Sequence, residues 1–162
     1  AMINDQWALQ RDPDIASVAA EAAVPVVLMH NQQGTHYDDM VPDVIESLRG
    51  AIDRALAAGI ELDKTIVDPG MGFGKTAEQN LEVLRRLDEF LVLGRPLLIG
   101  MSRKSTIGRV LELPADERTE GTAATVALSI AKGVDIVRVH DVKEMVRVAR
   151  MSDAIVRGWE ES

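Results

Sequence analysis

The stretch KTIVDPGMGFGKT, Lys64–Thr76, decides how this chain is read. Its β-branched start, Thr65 to Val67, predicts a short strand, and Ala77–Leu93 beyond it follows a helical pattern. Between them stand an aspartate, a proline and three glycines at alternate positions, Gly70, Gly72 and Gly74. The arrangement recurs. Gly100–Ser105 (GMSRKS) follows the apolar run Pro96–Ile99, and Arg138–Asp141 (RVHD) closes the run Val134–Val139. In each case polar groups come directly after a short apolar run. Parallel α/β proteins place their chemistry there, at the carboxyl ends of the strands.

Working outward, further short apolar runs lie at Met2–Ile3 and Val24–Met29. Helical patterns separate the runs: Ile15–Ala23, Val41–Ala58, Glu78–Leu93, Ser105–Leu111 with Thr122–Lys132, and Lys143–Arg157. The middle runs are apolar almost throughout, as in strands buried on both faces of a parallel sheet. In Val41–Ala58, Val44, Ile45, Leu48, Ile52, Ala55 and Leu56 form one apolar stripe at helical spacing. Gly59, Gly94 and Gly133 each follow a helical pattern and precede a strand, the place for a left-handed helix stop. Strand onsets at Pro25, Thr65, Leu97 and Asp135 lie 32 to 40 residues apart, the repeat of successive βα units. Five strands are countable. A closed eight-stranded barrel needs about 250 residues, and an open doubly wound sheet also fits the length, so the spacing leaves both open.

The chain has 162 residues, which suits one domain over 1–162 with a sizeable core. Eighteen basic against 26 acidic residues give a formal charge of −8. That balance argues against nucleic acid, whose phosphates call for a basic face, yet leaves room for a small anionic substrate. With no cysteine there is no disulfide framework and no thiolate metal site, which fits a cytoplasmic setting. No apolar stretch approaches the roughly 20 residues that span a bilayer, and no secretory leader is visible. Ala1 ahead of Met2 reads as an added residue.

Gly70, Gly72, Gly74 and Lys75–Thr76 invite a P-loop reading, but that pattern needs glycine where Pro69 stands. Proline has no N–H to offer a phosphate. A plain glycine-rich turn explains the loop but not the aspartate at the strand end. Asp68 is therefore the leading candidate: a buried carboxylate can accept two N–H bonds from an amidine-like edge. Arg103 and Lys104 read either as a solvated turn or as ligand cations; cations oppose the dipole at a helix start, which favours a ligand. Arg138 and His140 alternate with Val137 and Val139, so both are expected on one face, as a structural pair or an anion site. His30 has no partner nearby in sequence that would make it a metal ligand, and His36 and Tyr37 are expected to be exposed. Asn4 has both a donor and an acceptor for a heterocycle edge. No paired-carboxylate, Ser–His–Asp or Cys–His constellation is evident.

Six blocks in this order resemble dihydropteroate synthase, the folate-pathway branch of the pterin-binding TIM-barrel family: Ile3–Asp5, Leu28–Asn31, Asp68–Thr76 with Asn80, Gly100–Ser105, Gly121–Thr125 and Arg138–Val142. The resemblance, not the spacing, selects a barrel. It implies a sulfonamide-target transferase that joins a dihydropterin methyl diphosphate to p-aminobenzoate and releases diphosphate. By position, Asn4 and Asp68 are expected to hold the pterin's pyrimidine edge, and Lys104 to contact its ring. Met29 and Phe73 would form apolar walls, and Gly100 would let the ring approach. Arg138 and His140 would bind diphosphate, with Asn31 near the same face, while Arg103 and Ser105 would border p-aminobenzoate.

The resemblance covers strands four to eight of that barrel, so the chain is expected to be a partial barrel of about five βα units. The family's first-strand asparagine, which helps hold Mg2+ and diphosphate, has no counterpart here, nor have its second-strand loop and third-strand aspartate. No tightly bound metal is expected, and the isolated chain should turn over weakly or not at all. Two open strand edges and an inward apolar face open to water predict a homo-oligomer, a dimer foremost. The rival readings are a pterin-dependent methyltransferase module and a noncatalytic fragment.

Overall fold

The computed structural model describes residues 1–12 and 14–159; the last three residues of the expected domain lie outside it. Strands and helices alternate: β1 (Ile3–Asp5), α1 (Asp14–Ala22), β2 (Val26–Met29), α2 (Met40–Ala57), β3 (Thr65–Asp68), α3 (Ala77–Arg85), β4 (Leu98–Ile99), α4 (Ser105–Leu111), α5 (Thr119–Ala131), β5 (Ile136–Val137) and α6 (Val142–Arg157). All strand pairings are parallel. β1, β2 and β3 form one ladder and β4 and β5 another, and a parallel bridge from Val67 to Leu97 joins them in chain order.

Alternation along the strands sorts side chains to two faces. Val26, Leu28, Val67, Leu97 and Ile99 join the main core beneath the helices. Val27, Ile66 and Leu98 cluster with Ile136 on the opposite face. The expectation that this second face lies open to water is wrong: Val27, Ile66 and Leu98 are 1%, 6% and 4% exposed. Curvature is the reason. Five flat strands would hold β1 and β5 about 19 Å apart, yet Asn4 Oδ1 accepts from Arg138 Nη1 at 3.4 Å. An arginine side chain cannot bridge the flat distance, so the sheet is concave and its inner side chains cover one another.

α2 buries Met40, Val41, Val44, Leu48, Ala51, Ile52 and Ala55, close to the expected stripe, although Leu56 is exposed. α3 opens on a capping box, in which Thr76 Oγ1 accepts from Gln79 N–H and Gln79 Oε1 accepts from Thr76 N–H. It stops earlier than its pattern predicts. Arg86 leaves helical geometry, with Glu82 and Glu89 on its guanidinium, and Leu87–Leu93 continues as a 3-10 segment that buries Leu87 and Phe90. Three-residue spacing puts those two on one face of the tighter helix. Gly59, Gly94 and Gly133 all have positive φ, as expected of helix stops.

Candidate functional site

Two residues beyond Val27, Ile66, Leu98 and Ile136 on the same concave face come Met29, Asp68, Gly100 and Arg138. Asn4 pairs with Val27 across β1 and β2 and so shares that face. The apolar layer is thus topped by a mixed layer at the strands' carboxyl ends. Asp68 is fully buried. Its Oδ1 accepts the Gly70 N–H at 2.8 Å. Its Oδ2 is buried without a hydrogen bond, 3.3 Å from Arg138 Nη2. Burial raises the Asp68 pKa, opposed by the Gly70 N–H and by Arg138, Lys104 and Lys75. A carboxylate whose second oxygen meets a cation but makes no hydrogen bond can accept donors from a ligand.

The loop after Asp68 is tied from behind. Gly70 has φ +73°, and a Cβ there would sit 1.8 Å from the His30 carbonyl oxygen, so only glycine fits. Phe73 N–H donates to Gly70 O at 3.1 Å, and Gly72 N–H to Asn80 Oδ1 at 2.8 Å. The outer side of the loop presents Phe73, with Lys104 Nζ 4.5 Å from its ring centroid and also donating to the Met71 carbonyl. Burial lowers the Lys104 pKa to about 8; Asp68 opposes this and Arg138 adds to it.

Asn4, Asp68, Gly100 and Arg138 therefore meet at one mouth, the carboxyl ends of the strands, with Lys104 and Phe73 paired beside them and Met29 buried in the same layer. The space above Gly100, expected to admit a ring, holds the Arg138 guanidinium, with Nη2 2.6 Å from where a Cβ would stand. The expected pairing of Arg138 with His140 on one face is not what forms, because β5 ends at Val137. Arg138 turns to Asp68 and Asn4, while His140 is exposed and its Nδ1 lies 2.9 Å from Ser102 Oγ. Arg103 sits at φ +56° and spends its guanidinium on Asp141, with Nε donating to Oδ2 at 2.9 Å. Thr122, inside the Gly121–Thr125 block, accepts the Arg103 N–H through its hydroxyl at 3.1 Å. Ser105 is exposed in the first turn of α4.

Sequence reasoning missed three residues. Tyr37 is half-buried rather than exposed, and its hydroxyl donates to Gly74 O at 2.8 Å. Lys75 is buried and donates to Gly70 O and Phe73 O at 3.1 and 3.2 Å. His30 is buried between Ser47 and Tyr37. A lysine closing a glycine-rich loop was the one available signal.

A profile of the pterin binding enzyme family matches residues 1–140. The chain belongs to that family. Among curated relatives, the chain is 51% identical over 156 residues to dihydropteroate synthase of Bacillus subtilis (strain 168), covering 96% of this chain and 55% of that protein. It is 49% identical to dihydropteroate synthase of Clostridium beijerinckii, covering 58% of it. Among solved structures, dihydropteroate synthase from Clostridium difficile, obtained in the presence of pteroic acid, superposes with a TM-score of 0.95 at 50% identity, covering 97% of this chain and 60% of the other. Yersinia pestis dihydropteroate synthase with a pterine-sulfa conjugate gives 0.92 at 39% identity, covering 98% and 62%. The chain thus spans somewhat more than half the length of the relatives it matches. The α/β fold with parallel strands is the one these neighbours share.

The donor set does not suit the family's Mg2+. Among the described residues no three His, Asp or Glu side chains gather as a metal cluster. Asp68, the carboxylate of the mouth, already faces Arg138 and has Lys104 and Lys75 around it. Among those residues, too, no helix is long and apolar enough to cross a membrane.

Proposed function

We propose that this pterin-binding chain carries the pterin and diphosphate side of a dihydropteroate synthase, as a partial barrel of about five βα units. The observation that carries the reading is the buried Asp68 Oδ2, which has no hydrogen bond and faces only the Arg138 guanidinium at 3.3 Å, in a mouth shared with Asn4, Lys104 and Arg138. A pterin's pyrimidine edge offers two adjacent N–H donors to that carboxylate, and Asn4 reads the neighbouring acceptor or donor. Met29 and Phe73 flank the flat ring, and Lys104 lies against its edge. Arg138 then leaves Asp68 and Asn4 for the diphosphate, beside His140. Arg103 acts indirectly at the p-aminobenzoate side, holding the loop through Asp141, with Ser105 at its margin.

The chemistry follows from that inventory. The methylene C–O bond breaks and diphosphate departs with the electron pair, its charge met by Arg138 and His140. The arylamine nitrogen donates its lone pair to the electron-poor methylene carbon, and the nitrogen then loses a proton. No enzymic nucleophile is needed; positioning and leaving-group stabilisation supply the rate. No step is routed through Mg2+.

Calorimetry with the dihydropterin methyl diphosphate tests the reading: binding to the chain that weakens on the order of 100-fold in Asp68→Ala supports it, the loss expected for a charge-assisted bidentate contact. Binding of a methyl-tetrahydropterin in preference to the diphosphate would favour the methyltransferase reading, which the cations of the mouth argue against. Because the chain spans 55–60% of its relatives, we propose weak or no turnover alone; robust diphosphate release with p-aminobenzoate would refute that. We also propose a cytoplasmic homo-oligomer, foremost a dimer. Val142, Val146, Met151, Ile155 and Val156 stand exposed on α6, and Leu128 on α5. A stable monomer in light scattering would overturn it.

A further inference from the structure

Behind the mouth lies a buried polar cluster that the proposed chemistry does not use. Tyr37 has a single proton and gives it to Gly74 O, which can only accept. Its oxygen must therefore accept from His30, whose Nε2 is 3.2 Å away. His30 then carries its one proton on Nε2, and its Nδ1 accepts from the Ser47 hydroxyl at 2.9 Å. The donor chain is fixed in one direction: Ser47 to His30, His30 to Tyr37, Tyr37 to Gly74. Burial, helped by Lys75, lowers the His30 pKa to about 3, which keeps the ring neutral as this chain requires. Lys75 completes the arrangement from the inside of the loop. Its Nζ gathers Gly70 O and Phe73 O and lies 5.9 Å from the centre of the Tyr37 ring. Without it the Phe73 carbonyl would lose this donor, and Gly70 O would keep only the Phe73 N–H.

We propose that His30, Tyr37 and Lys75 are positioning residues that set affinity for a flat heteroaromatic ring by fixing Phe73 from behind, without touching the ligand. The pins fall at Gly70, Phe73 and Gly74, on either side of the residue whose ring faces Lys104. An aromatic wall is useful only where its plane is fixed, and a glycine-rich loop cannot fix it unaided. This rests on the pterin reading of the same site.

The test uses the whole chain and two probes. 6-Hydroxymethylpterin, with no diphosphate, reports the ring side alone, and inorganic diphosphate reports the Arg138 side. Lys75→Met and Tyr37→Phe should each weaken the pterin about tenfold, the worth of one to two hydrogen bonds, and leave diphosphate binding unchanged. In a Phe73→Ala background, Lys75→Met should cost nothing further, because the element it positions is gone. Full additivity with Phe73→Ala, equal loss of both probes, or unchanged pterin affinity overturns the proposal. If the parent chain binds no pterin, the pterin reading fails by itself. Amide exchange over Gly70–Gly74 then decides the positioning claim: faster exchange in Lys75→Met than in the parent upholds it, and unchanged exchange sinks it.

Discussion

The β3–α3 loop and the segment that follows β5 reach the same mouth but are built in opposite ways. In the first, a buried carboxylate heads a loop whose backbone is held at Gly70, Gly72, Phe73 and Gly74 by Asp68, Asn80, Lys75 and Tyr37. In the second the polar ends stay partly in water: the Arg138 side chain is 39% exposed and His140 is exposed. The difference matches the two kinds of recognition proposed here. A planar ring with fixed donors needs rigid partners, since misplacement forfeits directional bonds. A diphosphate is a diffuse charge that a swinging guanidinium can follow. Arg138 illustrates the point, its part-exposed guanidinium set against both Asp68 and Asn4.

Gly70→Ala should break the tied side outright. The new Cβ would meet the His30 backbone oxygen at 1.8 Å in a left-handed conformation, and neither atom is the end of a flexible chain. A loss of about 3 kcal/mol or more in urea unfolding is expected, the scale of a combined clash and backbone strain. Wild-type stability in that variant would show that the loop is far softer than its hydrogen bonds imply.

pH dependence sharpens the same contrast, with a smaller effect per pH unit. His30 has its pKa lowered from 6.5 to about 3 and Lys75 from 10.5 to about 7, each mainly by burial. For both, the unfolded chain binds the extra proton inside the window, so stability rises with pH there and falls as pH drops. Each group contributes a slope of up to about 1.4 kcal/mol per pH unit. The stability of the parent minus that of His30→Gln should therefore climb between about pH 3 and 6.5, and that of the parent minus Lys75→Met between about pH 7 and 10.5. A flat difference curve in either window would mean that the group titrates in water.

Much of this was legible in the residues. The apolar runs gave five parallel strands because both faces of the sheet are buried, and the polar group after each run marked the mouth. Asp68 could be singled out because a plain glycine turn has no use for an aspartate at a strand end. The rest depended on contacts distant in sequence. Nothing local says that Tyr37 reaches Gly74, 37 residues on, or that Asp141 claims Arg103 across 38 residues. Alternation placed Arg138 and His140 on one face only on the assumption that β5 continues past Val137, and the strand ends first. The inner face looked open to water because a residue pattern carries no curvature.

Gly100→Ala should have the smallest effect on the fold and so tests the swinging side directly. Its Cβ would also clash, at 2.6 Å, but with Arg138 Nη2, the far end of a flexible side chain, and Gly100 has no left-handed backbone to strain. The guanidinium can move aside, so stability should change by less than about 1 kcal/mol. What changes is where Arg138 rests. Pushed off Asp68 and Asn4, it leaves the carboxylate with one cation fewer, and 6-hydroxymethylpterin should bind a few-fold more weakly as the added methyl narrows the ring's approach. Inorganic diphosphate should be held as well as before, because the guanidinium it needs has been released rather than removed. If Gly100→Ala instead destabilises as Gly70→Ala does, Arg138 is as firmly fixed as the loop opposite, and the division of the mouth into a rigid and a mobile side is wrong.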